Sequence, residues 1–147
     1  MTIKMKTILM ATAVSLSMGL GLAPAFAGGS TVNIEQYGYG NGVGGAQHGT
    51  RNRLTVYQNG RGNTTISTQD GRYNRAVIGQ NGSRNFADTY QRGRHNIVGV
   101  GQFGSGHTVI TTQDGSGNAV GVIQAGRNNS ARSTQVGAGN VAVIVQD

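Results

Sequence analysis

The chain has 147 residues, no cysteine and a formal net charge of +7, with Lys4 and Lys6 as its only lysines. Without cysteine there is no disulfide scaffold. One glutamate, and His48, His95 and His107 at no metal-ligating spacing, argue against an enzyme, a metal site or any cofactor. Past residue 27, ten arginines face five acids (Glu35, Asp70, Asp88, Asp114 and Asp147), an excess that favours anionic partners such as extracellular DNA, acidic polysaccharide or an outer-membrane surface.

Residues 1–27 read as a secretory signal peptide. Lys4 and Lys6 supply a positive start, Ile8 to Leu22 an apolar run too short to be an ordinary membrane span, and Ala25-Phe26-Ala27 the small-x-small cleavage pattern, so the mature chain is expected to begin at Gly28. Residues 28–147 then form one domain with a small core.

The rest of the chain is a repeat of eleven residues. Its glutamines are Gln36, Gln47, Gln58, Gln69, Gln80, Gln91, Gln102, Gln113, Gln124, Gln135 and Gln146, each eleven after the last. Two residues past each of the first ten stands a glycine: Gly38, Gly49, Gly60, Gly71, Gly82, Gly93, Gly104, Gly115, Gly126 and Gly137. Three further on come Asn41, Asn52, Asn63, Asn74, Asn85, Asn96, Asn118, Asn129 and Asn140, with His107 taking one place in the series. Gly and Asn at fixed places every eleven residues would break a helix of that period. A repeat of short strands fits instead.

In a strand, residues i, i+2 and i+4 share a face. Asn, the residues four and two before Gln, and Gln itself are therefore predicted inward, with Gly and its neighbours making the bend. The residues four and two before Gln are aliphatic in alternate units (Leu54/Val56, Val98/Val100, Val120/Val122) and small in the units between (Thr65/Ser67, Ala87/Thr89, Ala131/Ser133). The true period is thus 22: strand, turn, strand, turn, with a bulky strand facing a small one so that the two sheets interdigitate. The fold class is all-β, a β-solenoid of eleven strands in two facing parallel sheets, about 25 Å tall at ~4.8 Å per coil.

A buried amide is costly unless it is hydrogen-bonded. Stacked coils put Gln above Gln, so amide can bond to amide in a ladder that fixes the register, and the Asn series is expected in the same inward amyloid ladder. Soluble solenoids close with atypical caps, and no such unit is expected here. Val141-Ala142-Val143-Ile144-Val145-Gln146 has instead the uncharged, β-prone character of an amyloid segment. Head-to-tail homopolymerisation as cross-β amyloid is the expectation.

Ala76-x-x-x-Gln80-x-Gly82-x-x-Asn85-x-Ala87-x-x-x-Gln91 resembles the repeat of the curlins, the subunits of bacterial curli. The resemblance implies export through the outer membrane by curli secretion machinery and nucleated assembly with another curlin subunit at the cell surface. It also implies a pilus-like extracellular fibre serving cell adhesion, surface colonisation and biofilm matrix. Two departures stand out: Asn replaces the Ser that opens the major subunit's repeat, and the usual Gly-rich leader shrinks to Gly28-Gly29-Ser30. The alternative is a monomeric binding solenoid, either of the ice-binding kind, with Thr64/Thr68 and Thr108/Thr112 outward, or a matrix or DNA-binding adhesin. Phe86, Asp88 and Tyr90 are expected to interrupt that threonine surface.

Overall fold

The computed structural model describes residues 29–147. The expected signal peptide, with Ala25 and Ala27, lies outside the described residues.

Eleven strands follow one another: β1 (Thr31–Tyr39), β2 (Gly42–Thr50), β3 (Arg53–Arg61), β4 (Thr64–Arg72), β5 (Arg75–Ser83), β6 (Phe86–Arg94), β7 (Ile97–Ser105), β8 (Thr108–Ser116), β9 (Ala119–Arg127), β10 (Ser130–Ala138) and β11 (Val141–Gln146). Odd strands form a six-stranded sheet in the order β1-β3-β5-β7-β9-β11, and even strands a five-stranded one, β10-β8-β6-β4-β2. Every pairing is parallel, and each residue meets the one 22 further on: Leu54 pairs with Ala76, Gln58 with Gln80, Thr89 with Thr111. The chain is a β-solenoid of 22-residue coils.

Alternation puts the aliphatic and small residues where the pattern predicts. Leu54, Val56, Ala76, Ile78, Val98, Val100, Val120 and Val122 from the odd sheet meet Ala87, Val109 and Ala131 from the even one in a single core. Their neighbours in sequence point outward. Ranks of Thr are interrupted, because Phe86 pairs with both Thr64 and Thr108, and Tyr90 with both Thr68 and Thr112.

The bends differ in detail from the expectation. Strand pairing runs through each glycine and one residue past it, and the chain turns four and five residues after Gln. Each corner carries two left-handed positions. At Gly60 φ is +124°, and a Cβ there would lie 1.8 Å from the carbonyl oxygen of Gly82. Coils can stack at this corner only because no side chain intervenes. Two residues on, positive φ recurs at Gly40, Gly62, Gly106, Gly117 and Gly139, but also at Arg51, Tyr73, Arg84, His95 and Asn128. For those five side chains the left-handed backbone costs about 1 kcal/mol or more each. The stacked ladders on either side hold them there.

Candidate functional site

The Gln series forms two parallel columns, one per sheet. Nε2 of each Gln donates to Oε1 of the Gln one coil further on, at 2.6–3.1 Å over nine rungs from Gln36→Gln58 to Gln124→Gln146. Its second N–H reaches across to a backbone carbonyl of the facing sheet sixteen residues back, as in Gln58 to Gly42 O at 3.1 Å and Gln80 to Thr64 O at 3.0 Å. The seven glutamines from Gln58 to Gln124 are fully buried, and both amide hydrogens of each are engaged. The amides therefore tie coil to coil and sheet to sheet, and the desolvation penalty is met.

The Asn column is built differently. Its amides do not bond to one another along the column, apart from Asn140 Nδ2 to Asn118 Oδ1 at 3.0 Å. Instead, Oδ1 of every Asn from Asn41 to Asn118 accepts the backbone N–H of the next corner: Asn63 N to Asn41 Oδ1 at 3.0 Å, Asn74 N to Asn52 Oδ1 at 3.0 Å, Asn118 N to Asn96 Oδ1 at 3.1 Å. Nδ2 donates to the corner glycine carbonyl of the next coil, as in Asn85 to Gly104 O at 3.2 Å, and in several coils also to the carbonyl four residues back. Asparagine is the staple that holds each left-handed corner in the stack.

Two corner residues lie outside the Asn series in sequence and inside it in space. Ser30 Oγ accepts the N–H of Asn52 at 3.1 Å, so it opens the column one coil before Asn52. The signal was available, since Ser30 lies eleven residues before Asn41. His107, the one interruption of the Asn series, is fully buried and imitates the amide. Its Nε2 lies 3.2 Å from Phe103 O, which can only accept, so Nε2 carries the proton; Nδ1 accepts the N–H of Asn129 at 3.3 Å.

The outer surface is less regular. The corners joining even to odd strands carry Arg51, Arg53, Arg72, Arg75 and Arg94. The Arg51 guanidinium sits 5.3 Å over the Tyr73 ring, which stacks on His95 at 4.9 Å. His48 lies in β2 on the outward face, in register with Asp70.

At each end of the solenoid the inward columns come to the surface. Val32 and Ile34 occupy inward places on β1 yet are 54 % and 43 % exposed. At the opposite end Ala142 and Ile144 of β11 are half-buried, and Val141, Val143 and Val145 are exposed outward. Gln135 and Gln146 each spend one amide N–H on a carbonyl, Ala119 O and Ser130 O, both at 3.1 Å. Among the described residues no further Gln meets their other N–H.

Compared with known proteins, the chain matches the curlin associated repeat twice, over residues 49–82 and 82–115. No curated protein and no solved structure matches it.

Proposed function

We propose, from the premise that this chain belongs to the curlin family, that it is a structural subunit, secreted and built head to tail into extracellular curli-type amyloid fibres. The observation that carries the reading is the glutamine ladder, which runs unbroken from coil to coil and leaves its terminal amides aimed at a further coil. A further coil of the same sequence would meet those amides with amides and the exposed Val32 and Ile34 with apolar side chains, which is how cross-β stacks grow. The inward chemistry is spent on stacking, and the role is mechanical rather than enzymatic. At the cell surface such a fibre would serve adhesion and the biofilm matrix. Its partners would be the curli export machinery and another curlin subunit, and the arginine-lined corners would suit an anionic matrix polymer such as extracellular DNA or polysaccharide.

The experiment is seeded assembly. Protein comprising residues 28–147, diluted from denaturant, should give a lag in thioflavin fluorescence that preformed seeds abolish. A stable, sharply melting monomer that never binds the dye would instead support a monomeric binding solenoid.

A further inference from the structure

The solenoid has six strands in one sheet and five in the other. One end presents β1 and β2, the other β10 and β11, so a copy of the chain can be added in two ways. In the first, sheets keep their identity: β1 of the added copy lies on β11, and between β10 and the added β2 one strand is missing from the even sheet. In the second, sheets exchange: the added β1 lies on β10 and the added β2 on β11, and both sheets continue without a gap.

Given the head-to-tail fibre proposed above, we infer that successive subunits exchange sheets, related by about half a turn around the fibre axis and five and a half coils along it. Three observations favour this. First, the eleven-residue repeat makes the strands carry one inward order, a corner residue (Asn, except Ser30 before β1 and His107 before β8), two spacers and Gln, so either sheet's edge is a template for either kind of strand. Exchange sets Gln36 on Gln135 and Gln47 on Gln146, so both terminal amides gain a partner; in the gapped stack Gln135 faces an empty layer. Leaving a strand edge and a buried amide unpaired inside a fibre carries a heavy desolvation cost.

Second, the outward faces match. Exchange lays Gly42, Gly44 and Ala46 beside Val141, Val143 and Val145, and Tyr37 beside Val136, whereas the gapped stack sets Glu35 beside Val145. Third, the inner spacers fit. A Cβ on Gly45 would lie 3.2 Å from Leu54 Cδ2, so the place two before Gln on one strand abuts the place four before Gln on a strand that flanks it. Exchange puts the bulky Ile34 at such a place, against Ala142, which with Ala76 is one of two alanines where Val32, Leu54, Val98 and Val120 stand in the other coils of that sheet.

The chain has no cysteine, which allows a clean test. Residues in register on neighbouring parallel strands are about 4.8 Å apart, within the Cα range of a disulfide. Thr31 and Ser130 come into register only by exchange, Thr31 and Val141 only in the gapped stack, and all three are exposed. Fibres of Thr31→Cys/Ser130→Cys should oxidise to a ladder of covalent multimers on non-reducing gels, and those of Thr31→Cys/Val141→Cys should not. The reverse pattern, or fibres that cross-link in neither variant, overturns the inference. Helical reconstruction of the unmodified fibre decides independently of the variants: exchange gives a rise of about 26 Å with a rotation near half a turn, the gapped stack about 29 Å with none. Failure of the unmodified chain to form any cross-β fibre would remove the proposed function itself, an outcome distinct from fibres with the wrong rise.

Discussion

The backbone N–H of Asn129 donates to His107 Nδ1 at 3.3 Å, in the place where the other coils offer an asparagine Oδ1. The imidazole reproduces two of the three bonds of the amide it replaces. It makes none to Gly126 O, the carbonyl that an asparagine at 107 would reach.

His107→Asn should therefore stabilise the stack by about 1 kcal/mol, the worth of one restored hydrogen bond. His107→Leu should cost more than that, because it leaves the Asn129 N–H without its acceptor. Guanidinium midpoints of the assembled protein compare the three; a Leu variant equal to wild type would show the imidazole to be mere filler.

Thr111 Oγ1 is the one buried side-chain polar atom among the described residues without a hydrogen-bond partner, whereas Thr89 Oγ1 on the neighbouring strand bonds Ser67 Oγ at 2.8 Å. Replacing the first hydroxyl by a methyl group should be neutral or stabilising, and replacing the second should cost about 1 kcal/mol. The measurement is the same midpoint for Thr111→Val and Thr89→Val, and a larger loss at Thr111 would contradict the assignment.

Two glycines of β5, one at the corner and one in mid-strand, differ in what a side chain would meet. At Gly82 (φ +128°) a Cβ would fall 1.9 Å from Gly104 O, whereas at Gly79 it would stand 3.9 Å from Val100 O. Gly82→Ala should lose ~1–3 kcal/mol through backbone strain and most of the assembly rate, because the backbone of two coils would have to part. Gly79→Ala should assemble within a few-fold of wild type. Thioflavin kinetics at equal concentration separate the two.

Alternation predicts an equally sharp contrast between neighbours. Val100 is buried in the core, and Gly99 beside it faces outward, where an added Cβ meets only Val120 O at 3.9 Å. Val100→Asp should block assembly by burying an unpaired charge, while Gly99→Asp should slow it several-fold at most. Equal effects on seeded elongation would mean that the facing is wrong.

Much of this was legible in the sequence because a strict period leaves little freedom. Eleven residues from Gln to Gln set the register, and alternation between Val98/Val100 and Ala87/Thr89 told the two sheets apart. Which atoms bond was not legible. Asparagine at a regular interval suggests an amide ladder like that of glutamine, yet Asn sits beside a left-handed corner, where the nearest donors and acceptors are backbone groups. The second corner position is not legible either, because Arg51, Tyr73 and His95 share no chemistry. What they share is a backbone angle, hinted at only by the glycines at 40, 62, 106, 117 and 139.

X-ray diffraction from aligned fibres tests the central claim most directly, that the coil seen in one chain is the repeating layer of a polymer. Fibres grown from residues 28–147 should give a meridional reflection near ~4.7 Å, from coils stacked along the axis, and an equatorial one near ~10 Å, from the two facing sheets. A chain that stays monomeric at high concentration, or fibres whose ~4.7 Å reflection lies on the equator, would contradict it.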